Sequence, residues 1–213
     1  MHLNPTQLTP QDRYKLLIGC IVPRPIAFVS TLSLAGQTNL APFSFFAGVG
    51  SDPMTLLFCP ANKPDGTEKD SLRNAKPITE GGTGEFVVNL ASEPYEKQMA
   101  AAAEPLAYGV SEFEFTGLTT AHSVVVKPPR LAESPVAFEC RTLQVIRTNP
   151  GQPAGGNIVL GQVVHVYIRD NAINERFHVD PAILKTIGRM GGTSYCRTND
   201  RFEISMGARA LDR

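Results

Sequence analysis

The side chains with most chemical potential in this 213-residue chain fall in two places. One is Thr67-Glu68-Lys69-Asp70-Ser71, which has the form of a helix start with Thr67 as N-cap. Such a start carries unpaired backbone N–H groups and the positive end of the helix dipole, so it attracts anions. Lys69 adds a cation and Ser71 a hydroxyl donor at the same end, so the stretch reads either as an ordinary solvated helix start or as a phosphate site. The other place is the stretch 23–46, PRPIAFVSTLSLAGQTNLAPFSFF. There Ser30, Thr31, Asn39 and Ser44 stand where a plain core strand would carry valine or isoleucine. Buried polar groups need partners, so this stretch either binds something polar or satisfies itself locally. Other chemistries lack their motifs. Neither G-x-x-x-x-G-K-[ST] nor G-x-G-x-x-G occurs, which excludes the usual nucleotide loops, and H-E-x-x-H and G-x-S-x-G are absent too. His2, His122, His165 and His178 are too far apart to form a local metal pair; His165 reads as a satisfied strand imidazole, while His122 and His178 sit in loops that could reach a site.

The elements that must position these groups are short. Stretch 23–46 reads as two strands joined by a polar turn over 33–39, and 47–53 as a further turn. MTLLFC (54–59) is an apolar run of the kind found in buried strands, and EFVVNLA (85–91) is another. VAFECRTLQVIR (136–147) and IVLGQVVHVYI (158–168) form a long hairpin around the turn formers NPGQPAGGN. Phe202 to Met206 is a last strand candidate. Helix starts are legible at Thr9-Pro10, at Ser92-Glu93-Pro94 and at Asp180-Pro181. The first of these helices is expected to dock beside the first strand. Stretch 104–130, broken by Gly109 and Gly117, reads as a long ordered excursion. Strands linked by hairpins, without strand–helix alternation, predict a mainly β fold: an antiparallel barrel with a few short peripheral helices.

Composition narrows the function classes. Twenty basic and twenty acidic side chains cancel, which argues against nucleic acid or an anionic membrane as the main partner. No apolar run approaches the roughly 20 residues that cross a bilayer, and the N-terminus lacks a signal-peptide layout, so a cytoplasmic protein is expected. The length suits one domain over 1–213, with a core over about 14–195 and an extension over 196–213. Cys20, Cys59, Cys140 and Cys196 are too widely spaced for a zinc site. The first three read as buried, reduced thiols.

Eight segments in order carry a resemblance over nearly the whole chain: RPIAFVST (24–31), NLAPFSFF (39–46), DPMTLLF (52–58), KDSLRN (69–74), EFVVNL (85–90), PPRLAESPVAFEC (128–140), GQVVHVYI (161–168) and GRMGGTSY (188–195). In these the chain resembles the flavin reductase-like branch of the FMN-binding split-barrel proteins. The resemblance implies a six-stranded antiparallel split barrel that binds FMN at the interface of a homodimer, with NAD(P)H as a co-substrate. It implies that Ser30 and Thr31 contact the isoalloxazine edge, and that Ala41, Ser44 and Phe45 line the ring and ribityl chain. Lys69, Asp70 and Ser71 match the phosphate segment, with serine in place of the family's threonine. Arg189 and Tyr195 match a C-terminal segment that reaches toward the flavin. A single phosphate locus favours FMN over FAD. The segment Lys185-Thr186-Ile187-Gly188-Arg189 departs from the family in having no histidine ahead of the Gly-Arg pair. That departure supports a second expectation, a flavoredoxin-like carrier reduced by a protein partner; a non-catalytic FMN-binding module is the third.

Overall fold

Thr9 accepts the backbone N–H of Asp12 at 3.1 Å and donates its hydroxyl to the Asp12 carboxylate at 2.7 Å. This capping pair starts α1 (Pro10–Cys20) at the proline, as the sequence predicts. The chain, a computed structural model that describes residues 1–211, then runs through β1 (Ala27–Leu32), β2 (Thr38–Phe43), β3 (Phe46–Ser51) and β4 (Met54–Phe58). It continues through α2 (Asp70–Ala75), β5 (Glu85–Leu90), α3 (Glu96–Ala101), α4 (Glu112–Thr116), β6 (Thr120–Ala121) and β7 (Arg130–Leu131). The long hairpin β8 (Val136–Arg147) and β9 (Asn157–Ile168) follows, then α5 (Pro181–Leu184), β10 (Ile187–Arg189) and β11 (Tyr195–Arg197).

Seven strands form one antiparallel sheet in the order β2-β1-β5-β8-β9-β4-β3, rather than the six expected. The extra strand is β3. Its sequence, FAGVGS, lacks the alternation that announces a strand, and the expected turn over 47–53 shrinks to Asp52-Pro53.

The strand order has a geometric consequence. β2 and β3 lie at opposite edges of the sheet yet are joined by only Ser44 and Phe45. Seven flat strands would separate those edges by about 29 Å, whereas the connection spans at most about 11 Å. The sheet therefore curls until its edges meet at the Ser44-Phe45 corner, although β2 and β3 form no ladder with each other. The curl encloses one core, in which Val29, Phe43, Phe58, Phe86, Cys140 and Val159 are buried together. Phe58 packs against Phe43 and Phe86 with ring centroids 5.2 and 5.1 Å away. A Cβ at Gly161 would lie 2.4 Å from the Phe86 ring, so the close packing of β9 on β5 depends on that glycine. α2 lies against one end of the curled sheet, with Leu72 and Ala75 in the same core. A second cluster, with Phe28, Leu40, Tyr95, Met99 and Phe113, packs α3 and α4 on the outer face of β1 and β2.

Other expectations change or gain detail. α1 buries none of its residues, so it does not dock beside the first strand as a core element, and Cys20 at its end is exposed rather than buried. Stretch 104–130 contains α4, whose Phe113 is core. Residues 202–206 are extended but pair with no strand among the described residues.

Candidate functional site

The corner between β2 and β3 gathers most of the predicted residues. Ala41, Ser44 and Phe45 are half-buried along it. On one flank the Lys69 ammonium lies 5.9 Å from the Phe43 ring centroid. On the other, the Arg24 guanidinium lies 5.9 Å from the Phe45 ring and donates to Ser44 Oγ at 3.2 Å. Arg24 and Arg189 exchange backbone hydrogen bonds at 2.9 and 2.8 Å, which fixes the β10–β11 hairpin beside the corner. Within that hairpin Arg189 and Tyr195 are cross-strand partners; the guanidinium stands 4.4 Å from the Tyr195 ring centroid and donates to the Gly192 carbonyl at 2.7 Å.

The predicted helix start is displaced. Thr67 donates both its N–H and its hydroxyl to Asp65 Oδ1, at 2.9 and 2.6 Å, and so belongs to a turn. The helix begins after Lys69, its N-cap, which makes no side-chain cap, and six residues build only a modest dipole. Charge at this end rests mainly on Lys69. Its neighbours are engaged elsewhere: Glu68 pairs with Lys76 and Arg147 at 2.8 and 2.9 Å, and Asp70 with Lys63 at 2.8 Å. Lys69 has no carboxylate within ion-pair distance among the described residues. Surrounding protein lowers its pKa from the ordinary lysine value even though the residue keeps accessible surface; Lys63 lowers it further and Asp70 opposes the shift. An ammonium held this way gains from an incoming anion.

Three hydroxyls share one property. Ser71 accepts from Asn39 Nδ2 at 2.9 Å, Thr31 from Asn74 Nδ2 at 3.1 Å, and Ser44 from Arg24 Nε at 3.2 Å. Each acts as acceptor there, and none donates its proton to another described residue. All three keep an uncommitted proton, Thr31 and Ser71 from buried positions and Ser44 from a half-buried one. Ser30 differs. Its hydroxyl donates to the Pro129 carbonyl at 2.5 Å and accepts from Asn89 Nδ2 at 3.2 Å. It also lies on the opposite face of β1 from Thr31, as adjacent strand residues must. Ser30 and Thr31 therefore do not present their side chains to one ligand, and the Ser30 hydroxyl serves to anchor the loop before β7.

Sequence reading missed the residues that hold this arrangement. Arg24, buried, donates to the carbonyls of Ile18, Ile21 and Met190 at 2.6, 2.8 and 3.0 Å, tying α1 and the segment after β10 to the corner. Asn89 accepts the Leu131 N–H at 2.7 Å. The buried Glu112 carboxylate accepts the Leu40 N–H at 2.8 Å and so covers the free edge of β2; its burial raises its pKa against that hydrogen bond. Glu139, also buried, accepts the N–H groups of Val124, Val125 and Val126 at 2.7, 2.6 and 3.1 Å, and His165 Nδ1 lies 3.1 Å from it. The Nδ1 contact is too far off line to count as a hydrogen bond, so the loop, rather than the imidazole, satisfies this carboxylate. A charged residue inside a strand pattern, as at Glu139, was the available signal. No group of His, Cys, Asp or Glu among the described residues is arranged to hold a metal.

A family model for the flavin reductase-like domain matches residues 18–188. The chain belongs to the flavin reductase-like family. Among solved structures it is similar to nitrilotriacetate monooxygenase component B from Bacillus cereus, with 32% identity, a TM-score of 0.88, and 96% of this chain and 98% of that one covered. It is similar to the 2-nitrobenzoate 2-nitroreductase of Pseudomonas fluorescens at 30% identity and TM-score 0.84, over 98% and 97% of the two chains. A Shewanella frigidimarina protein with a split-barrel domain aligns at TM-score 0.80 over 97% and 100%; at 20% identity this speaks for the fold alone. The curled, unclosed sheet is thus a split barrel, as the resemblance implied. The chain is a member of an oxidoreductase family with a flavin-binding fold, and no helix among its described residues is long and apolar enough to cross a membrane.

Proposed function

We propose that this chain is an FMN-binding oxidoreductase of the flavin reductase type, passing reducing equivalents from NAD(P)H to a flavin or another acceptor. The observation that carries the reading is the corner itself: an ammonium without a carboxylate partner, Lys69, near oriented hydroxyls whose protons are undonated. That set fits an anionic, acceptor-rich group such as a flavin mononucleotide. Lys69 and Ser71 would hold the phosphate. Ala41, Ser44 and Phe45 would line the ring and ribityl chain, with Thr31 beneath and Arg189 and Tyr195 closing the far side. A single phosphate locus, at Lys69 and Ser71, favours FMN over FAD.

When bound, the flavin supplies the hydride and electron chemistry; the protein binds it, orients it and excludes water. Lys69 offsets part of the phosphate charge. Arg24 aims the Ser44 proton by donating to its oxygen, and the Phe43–Phe45 corner supplies an apolar wall. No acid–base side chain is required of the chain in this role. A homodimer is part of the proposal: α1 leaves Tyr14, Leu16 and Leu17 exposed, an apolar surface that a second copy would cover.

The test is spectroscopic. Purified protein is expected to carry, or take up, FMN and to show flavin absorbance that bleaches anaerobically on addition of NADH or NADPH. Flavin bound but bleached by neither nucleotide, and only by a protein reductase, would replace the reductase with a flavoredoxin-like carrier, the reading suggested by the missing histidine before Gly188-Arg189. No uptake of FMN at all would end the flavin reading.

A further inference from the structure

The sequence RFEISM (201–206) has the pattern of a half-buried strand, apolar at Phe202, Ile204 and Met206 and polar at Arg201, Glu203 and Ser205. In the folded chain these three apolar residues are 86%, 72% and 92% exposed. A strand pattern is present without a strand partner. The sheet, for its part, has one uncovered edge. The β2 edge is closed by Glu112 and α4, but β3 pairs only with β4 and is exposed from Ala47 to Ser51. Beside β3 opens a cavity of about 480 Å³, lined in part by Phe46, Val49, Met54, Leu56, Phe138 and Val163. An open edge with exposed apolar side chains is an invitation to strand addition.

We propose that segment 198–206 of one copy adds as an eighth strand to the β3 edge of a second copy, with Phe202, Ile204 and Met206 entering that cavity. The chain's own segment does not sit there, as its exposure shows. The nine residues that follow Arg197, ending at Met206, reach at most about 30 Å when extended. Among the described residues each chain carries both an unpaired segment with a strand pattern and an unpaired edge, so a two-fold exchange satisfies both at once. A different protein would leave one of the two uncovered. The contact buries the apolar face of the segment while Arg201, Glu203 and Ser205 stay in solvent.

The test uses the full chain in a Cys20→Ser background, because Cys20 is exposed. A Cβ at Gly48 meets no atom within 4 Å, so Gly48→Cys is tolerated on the β3 edge. Chains with Gly48→Cys are mixed with differently tagged chains carrying Glu203→Cys, Ile204→Cys or Ser205→Cys, which spans the pairing registers. At least one pair is expected to form a disulfide between chains. Separately, Phe202→Asp/Ile204→Asp/Met206→Asp is expected to weaken self-association at least tenfold by sedimentation and to speed hydrogen exchange of the β3 amides. The proposal is overturned if no pair cross-links or if the triple variant associates as the parent does. Flavin absorbance read in the same samples keeps a failure of this contact distinct from a failure of the flavin reading.

Discussion

Replacing Lys69 by methionine separates binding from folding in a way that the corner geometry dictates. The ammonium has no carboxylate partner among the described residues, and the surrounding protein and Lys63 both lower its pKa, so without ligand its charge is a mild burden on the folded chain. Lys69→Met should therefore leave the thermal stability of the ligand-free protein unchanged or raise it. Toward FMN the sign reverses. A hydrogen bond to a charged group contributes about 1.5–3 kcal/mol, so affinity should fall roughly 10- to 150-fold. The pH dependence follows from the same shift. With the folded pKa below the unfolded one, the unfolded chain binds the extra proton as pH rises between the two values, so stability climbs across that alkaline window. The climb should flatten in the variant. FMN affinity should decline across the same window in the parent, because the phosphate needs the ammonium charged. Fluorescence titration of FMN and differential scanning calorimetry at several pH values measure both. Unchanged affinity would place the phosphate elsewhere, and a large loss of ligand-free stability would make Lys69 a structural residue; either result refutes the reasoning.

The two serines should part company. Ser30→Ala removes the hydrogen bond to the Pro129 carbonyl before β7 and the one accepted from Asn89 of β5, and should cost about 1–3 kcal/mol of stability with little change in FMN affinity, whereas Ser71→Ala should weaken FMN binding more than it destabilises; denaturant melts beside FMN titrations decide. Glu139→Gln should destabilise by about 2–4 kcal/mol, since a neutral amide meets the three N–H groups less strongly. Burial pushes the Glu139 pKa up, but those N–H groups and His165 outweigh it, so it lies below the ordinary value. That contribution is present above the unfolded glutamate pKa and lost as pH falls through the folded one, and the variant's acid unfolding should be correspondingly flatter. Gly161→Ala forces a Cβ into the Phe86 ring and should cost about 1–3 kcal/mol by chemical denaturation.

How legible the site was depended on whether a residue's partner is close in sequence. The β1–β2 hairpin, β4, β5 and the β8–β9 pair were readable because alternation and turn residues are local signals, and Thr9 capped α1 where it was expected to. Thr67 looked like the same signal but failed, since Asp65, two residues earlier, captured its N–H and hydroxyl first. β3 was hidden by its glycines, and its strand character comes from β4 alongside it. Ser30 and Ser71 looked equivalent as small polar residues. What separates them, Pro129 and Asn89 against Asn39, lies up to 99 residues away and carries no local trace. Arg24 sat in a quoted motif, yet its three carbonyl partners come from elements that only the fold brings together. Residues 202–206 carried a strand pattern, yet they pair with no strand among the described residues, so the expected last strand does not form.

The two-residue corner bears on the order of assembly. Ser44 and Phe45 are made early in synthesis, but β3 is placed through β4, whose neighbour β9 ends at Ile168, and the far flank of the corner waits for Arg189 to pair with Arg24. Contacts this distant in sequence close slowly, because loop entropy is lost before they form. The corner is therefore among the last parts of the molecule to mature, and a nascent chain shorter than about 190 residues has the corner's sequence without its walls. Ligand uptake at the corner would then follow completion of the barrel, and an insertion at Ser44-Phe45 would uncouple the two sheet edges that this short link forces together.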